Sequence, residues 1–501
     1  MADIALPPSR FDIETQTLII GSGACGMVAA LAAQEAGQQV LVIEADPVPS
    51  GSTALSAGLI PAAGTKLQHD AGIVDDPRQF ARDIQAKAKN ENDPILVDAL
   101  AKGAALAIDW LTDELGLPFS VVTDFDYPGH THRRMHGLPT RSGAELIDAL
   151  RSACEARGID VVCGLRAETV FADSRTIAGV RAARPDGQSE TIGCRKLILA
   201  CNGFGGNRQM VVEYMPDIEN AVWFGHGGNR GEAVIWGTAL GAETRALGAY
   251  QGHGNVAHPH GILITWATMT LGGVQVNNKG QRFWDESQGY SEAARAVLAQ
   301  PGAEAFAIFD DRIADVARQF EDFKQAEAVG AVQFAETPEA LARTMGLPSV
   351  ALKETLDGLP CDGTDEFGRR FGPERLAPPY CGVRVTGALF HTQGGLKTDG
   401  TGRVQHKDGS PFPNLFAGGG AASGVSGNGD TGYLSGNGLL AAVVLAALRG
   451  RQKWEICHED LVSVLCRLRE WCRLLGPPAA PSGAKRDAAR YRTPYSWHNP
   501  F

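Results

Sequence analysis

The chain has 501 residues, with 46 basic against 57 acidic side chains and a formal charge of −11. That length gives two or three domains, and an apolar fraction of 44% excludes disorder as the general state. The acidic balance argues against a nucleic-acid partner or an anionic membrane surface, both of which attract clustered lysine and arginine.

The first twelve residues carry no signal-peptide pattern. The longest apolar run, 439–448, is about half of the ~20 residues that a membrane span needs, so stable membrane insertion is not expected. The ten cysteines show no CxxC spacing, which implies reduced thiols in a cytoplasmic protein. Residues 17–20 are rich in β-branched side chains and read as a buried parallel strand. Gly21, Gly23 and Gly26 then form GxGxxG, with Ala24 inside it. The first glycine permits a tight turn, the second lets backbone approach a pyrophosphate, and the third lets helix pack on strand. A helix over 27–35, ended by Gly37, leads to a second strand over 40–43. Glu44 closes that strand at the spacing of a carboxylate that holds a ribose hydroxyl, so the unit reads as dinucleotide-binding. Residues 51–65, GSTALSAGLIPAAGT, are small and polar enough to lie along an extended cofactor.

Further along, Asp76 and Pro77 predict the cap and first position of a helix over 78–88. Ser142 with Glu145 predicts a capping box. Residues 196–207, KLILACNGFGGN, read as a strand and glycine turn. Strand signals recur at 273–277 and a helix run at 292–299. Residues 414–438, NLFAGGGAASGVSGNGDTGYLSGNG, lead into a helix over 439–448. Beyond 450, Leu461, Leu465, Leu468, Trp471 and Leu475 fall at helical spacing before a Pro-rich break.

These motifs, in this order, resemble the succinate dehydrogenase/fumarate reductase flavoprotein family over about residues 15–450. The resemblance implies an α/β fold: a discontinuous Rossmann-like FAD-binding domain (1–247 and 391–450) with an inserted α+β cap domain (248–390), followed by a tail over 451–501. It implies FAD held by Gly21, Gly23, Ala24, Gly26, Glu44, Ser52, Thr53, Ser56, Ala57, Gly58, Gly203, Gly419, Asn437 and Leu439. Covalently flavinylated members carry a histidine before the Ser/Thr–Ala–Ala–Gly segment. Ser52 stands there instead, so the FAD is expected to be non-covalent.

Fumarate reductases bind two carboxylates with arginines and histidines. Here His253 and His391 match that pattern, but Tyr290 and Tyr433 occupy two arginine positions, and Trp266 and Met269 replace the proton relay. Without that positive charge, a desolvated dicarboxylate would stay unpaired. Tyrosine at both positions resembles the 3-ketosteroid delta-1-dehydrogenases, in which a third tyrosine matches Tyr127. The resemblance implies α,β-desaturation of a ketone, a 3-ketosteroid or a smaller cyclic ketone. Tyr433 and the Asn437 backbone N–H would hold the ketone oxygen, Tyr290 would take the α proton, and hydride would pass to flavin N5. His253 and Trp266 would contact substrate, and His391 is added as a catalytic candidate. A small electron carrier, a quinone or oxygen would accept the electrons. The alternatives are an ene-reductase saturating an activated alkene, and a non-catalytic flavin-binding interaction protein. His253, His258 and His260 do not read as a metal site, because no acidic or cysteine ligand flanks them.

Overall fold

The computed structural model describes residues 3–123, 127 and 129–450. The tail helix expected over 461–475 lies outside the described residues. Strand Ile13–Ile20 pairs in parallel with Val40–Ile43 on one side and Ser189–Leu199 on the other. The strand Asp160–Val162 extends this parallel row beyond Val40–Ile43, and Pro411–Ala417 joins it beside Leu197–Leu199. An antiparallel set, Arg166–Asp173, Thr176–Ala183 and Ser189–Leu199, completes most of a nine-stranded sheet.

Parallel strands need both faces covered, and the sequence supplies apolar helices for that purpose. Helix Ala24–Glu35 is buried over its first ten residues. It packs against helix Asn437–Gly450, so a segment from each end of the described chain closes one core. Helix Pro77–Lys87 begins as predicted: Asp76 accepts from the N–H groups of Arg78 and Gln79, and proline fills the first position. The Ser142 box forms only in part. Ser142 accepts from Ala144 N–H at 3.2 Å, but Glu145 accepts from Thr140 N–H at 2.9 Å. The chain turns through a left-handed residue at Arg141 (φ 51°), which brings Thr140 to Glu145 in place of Ser142.

A second sheet runs in the order Ile262–Leu263, Tyr250–Ala257, Tyr380–Thr392, Glu304–Asp310, Val274–Val276. Val332–Ala335 and Val222–Trp223 also pair with its long strand, Tyr380–Thr392. Among the described residues, no helix is long and apolar enough to cross a membrane, and no three His, Cys, Asp or Glu side chains cluster as metal ligands.

Candidate active site

A cavity of about 1550 Å³ opens at the carboxyl ends of the parallel strands, where Ile20, Ile43 and Ala200 line it. Ligands of open α/β sheets bind at this edge. Gly21 takes a φ of 104°, a left-handed conformation that suits glycine. A Cβ on Gly26 would lie 1.8 Å from Gly21 O, so only glycine lets the helix start this close to the strand. Gly21, Gly23, Ala24, Glu44, Ser52, Thr53, Ser56, Ala57, Gly419 and Leu439 line the cavity. Thr53 Oγ1 accepts from Ala24 N–H (3.1 Å), and Ser52 Oγ accepts from the amides of Asn202 (2.8 Å) and Asn229 (2.9 Å). Glu44 Oε2 accepts from both the N–H and the hydroxyl of Ser22 at 2.8 Å, tying the strand end to the glycine turn. These small residues and exposed backbone fit an extended dinucleotide such as FAD.

Four expected contacts fall elsewhere. Gly26 and Gly58 shape the turns rather than line the cavity. Gly203 packs against Thr392, whose Oγ1 would lie 1.9 Å from an added Cβ, and Asn202 beside it faces the cavity instead. Asn437 is 1% exposed and absent from the lining, and its N–H already donates to Leu434 O at 3.0 Å. Gly438, one residue later, lines the cavity instead, and its backbone supports the Tyr433 hydroxyl.

The second sheet supplies the opposite wall. Gln251 pairs with His391, but the next residue, Gly252, pairs with Leu389, leaving Phe390 as a bulged extra residue. A bulge re-aims side chains, and here both Phe390 and His391 reach the cavity. Phe390 stacks on Phe224 with centroids 4.6 Å apart, a pair the sequence reading missed because 166 positions separate the two rings (390 − 224). His253 stacks on Tyr290 (5.0 Å, 18°) and meets the edge of Trp266 at 5.7 Å. Tyr290 opens helix Tyr290–Leu298, which places its ring 6.1 Å from that of Tyr433.

Burial pushes the Tyr290 phenol well above its ordinary 10, with Tyr433 adding to the effect and a hydrogen bond to Ser435 Oγ (3.0 Å) opposing it. Burial also raises Tyr433, to about 12, against backbone hydrogen bonds from Gly438 and Gly436. His253 and His391 are lowered by burial to about 3 and about 4, so both rings are neutral. Tyr127 lines the same cavity and adds to the upward push on Tyr290. Arg282 is tied to Glu286 and Asp365, a structural ion pair away from the lining. Among the described residues, the cavity receives no lysine or arginine from the second sheet or from 419–442; its two arginines are Arg141 and Arg166. The sequence reading also missed His130, whose Nε2 lies 3.0 Å from Ser435 O. It ends the stretch FDYPGH, in which only Tyr127 was singled out.

Residues 16–439 match the family described as FAD binding domain. A probable fumarate reductase of Shewanella frigidimarina is 31% identical over 458 residues, covering 89% of this chain and 75% of that protein. A 3-oxosteroid 1-dehydrogenase of Mycobacterium tuberculosis is 25% identical, covering 88% of this chain and 99% of that protein. The open conformation of a flavocytochrome c3 fumarate reductase superposes with a TM-score of 0.75 at 29% identity, over 88% of this chain and 78% of that one. With the glycine turn and the strand-end cavity in place, the chain belongs to the FAD-binding domain family, as an FAD-dependent oxidoreductase of its fumarate reductase and ketosteroid dehydrogenase kind.

Proposed function

We propose that this oxidoreductase desaturates a neutral, flat ketone next to its carbonyl, a 3-ketosteroid or a smaller cyclic ketone. The observation that carries the reading is the pairing of two phenols, Tyr290 and Tyr433, on an aromatic wall that offers no lysine or arginine. Bound FAD supplies the two-electron acceptor, held without a covalent bond because Ser52 stands where a histidine would be needed.

The Tyr433 hydroxyl, itself backed by the Gly438 backbone, holds the ketone oxygen as negative charge develops on it. Loss of one such donor costs about 3–4 kcal/mol in a well-formed oxyanion hole. That charge acidifies the neighbouring C–H, and Tyr290 takes the proton. His253 and Trp266 pack around the Tyr290 ring and fix its direction. Tyr127 stands by the same phenol, and the aromatic wall excludes water. A small carrier, a quinone or oxygen then takes the electrons. The seven described cysteines are all unpaired, which fits a reducing cytoplasm.

One observation favours the reverse reaction, saturation of an enone: a phenol held protonated at neutral pH is ready to donate its proton. Anaerobic mixing of the oxidised protein with ketones and 3-ketosteroids separates the two directions. Bleaching of the flavin by a saturated ketone, lost in Tyr290→Phe, supports desaturation. Reoxidation of the reduced protein by enones, with no bleaching by any ketone, replaces desaturation with the reductase. Neither response leaves a non-catalytic flavin protein.

A further inference from the structure

Behind His391 lies a chain of buried polar side chains that the proposed reaction does not use. Asn437 Nδ2 donates to Ser426 Oγ (3.2 Å), Ser426 Oγ donates to Gln393 Oε1 (2.9 Å), and Gln393 Nε2 lies 2.8 Å from His391 Nδ1. Asn437, Ser426 and Gln393 are 1%, 1% and 4% exposed, so bulk water does not compete for these groups. The Gln393 backbone is fixed as well: its N–H donates to Ala249 O, and its carbonyl accepts from Gly424 N–H, both at 2.8 Å.

The direction of the chain decides the state of the ring. The Ser426 hydroxyl has one proton and gives it to Gln393 Oε1, which turns the Gln393 NH₂ toward the imidazole. An amide NH₂ donates and cannot accept, so His391 Nδ1 carries the lone pair. A neutral imidazole has one N–H, and burial keeps this ring neutral. The proton therefore sits on Nε2. His253 reaches the same state independently, because its Nδ1 accepts from Asn255 N–H at 3.2 Å. Two imidazoles of one cavity thus present donors.

We propose that Gln393, held by Ser426 and Asn437, is a positioning residue that locks His391 as an Nε2–H donor and so selects a substrate with a second neutral acceptor, such as a second carbonyl. The proposal rests on the reading that His391 meets substrate. A second carbonyl finds a fixed donor here, whereas a substrate group that can only donate finds no acceptor.

The test uses the FAD-loaded enzyme labelled with ¹⁵N-histidine, with the His391 signals assigned by their loss in His391→Gln. The expected result is a lone-pair Nδ1 and a protonated Nε2 in the unaltered protein. In Gln393→Met, and in Ser426→Ala should that variant fold better, the two nitrogen signals move toward each other as both tautomers become populated. With a ketone bearing a second carbonyl, Gln393→Met raises KM by about tenfold, the worth of one hydrogen bond, and leaves kcat in place. The same ketone without that carbonyl shows no change in KM. A protonated Nδ1 in the unaltered protein, unmoved signals in the variants, or equal KM changes for both ketones overturns the proposal. Expected spectra with no turnover of any ketone would sink the desaturation reading and leave the lock standing.

Discussion

Ser435→Ala tests the proton-transfer role of Tyr290 through its one neutral partner. Burial, Tyr433, Tyr127 and Glu292 all push the Tyr290 phenol upward, and the Ser435 hydroxyl alone pulls it back. Desaturation needs the phenolate, whose fraction below the pKa grows tenfold with each pH unit. The rate of flavin bleaching by a saturated ketone should therefore rise about a hundredfold from about pH 7 to about pH 9, with no plateau. Removing the Ser435 hydroxyl deletes one hydrogen bond, worth about 0.5–1.5 kcal/mol. At about 1.4 kcal/mol per pKa unit, the phenol rises by about a third of a unit to one unit, and the rate falls about twofold to tenfold at every pH in that range. The slope is unchanged. The His130 contact is made to the Ser435 backbone carbonyl and survives the substitution. Anaerobic stopped-flow absorbance across the pH series measures both effects. A rate that is flat across this range, or a Ser435→Ala variant as fast as the parent, refutes Tyr290 as the base. Enone reduction behaves oppositely: the phenol is the donor, already protonated, and the rate stays level over the same range.

Two further outcomes follow from the same structure. His136 and His253 are 0% and 5% exposed, with burial lowering their pKa values to about 4 and about 3. Their folded-state values lie below the unfolded value of about 6.5, so their cost is absent above that pH. Stability is lost at about 1.4 kcal/mol per pH unit for each ring as pH falls toward the folded values. A Tm that does not move between about pH 7 and about pH 5 would contradict this burial of neutral imidazole. Acid precipitation should leave all the yellow colour in the supernatant, since Ser52 accepts two amide hydrogen bonds and offers no ring nitrogen for a flavin bond. Colour retained in the washed pellet would contradict that.

The cofactor fold was legible because its constraints are local. Gly21, Gly26 and the strand at 40–43 declare themselves within thirty residues, and the turn's geometry leaves no other residue type in place of Gly26. Tyr290 and Tyr433 could be singled out only through resemblance, since 143 positions separate them (433 − 290) and no local pattern joins them. Asn437 shows where counting along a motif breaks down. The chain closes a turn from Leu434 to Asn437 before helix Asn437–Gly450 starts, so the Asn437 N–H is already spent on Leu434 O. The bulge at Phe390 was likewise unreadable, because register slips are set by the partner strand.

Charge at the proposed substrate end bears on which substrate a scaffold shared with fumarate reductases would take. From the second sheet and its neighbours, the cavity receives Glu321 and Asp322 but no cation, and burial raises Asp322 further. Two of its imidazoles, His253 and His391, are held neutral by burial. A dicarboxylate entering here would lose hydration worth several kcal/mol for each ion with no partner to offset it. On the proposed reading, a ketone would give up one carbonyl's hydration and regain a hydrogen bond from the Tyr433 hydroxyl. Substituting arginine for tyrosine at one position would not by itself reverse this preference, because the new buried cation would need desolvation too. Among the described residues, the lack of cations belongs to the whole wall, and so would the selectivity that follows from it.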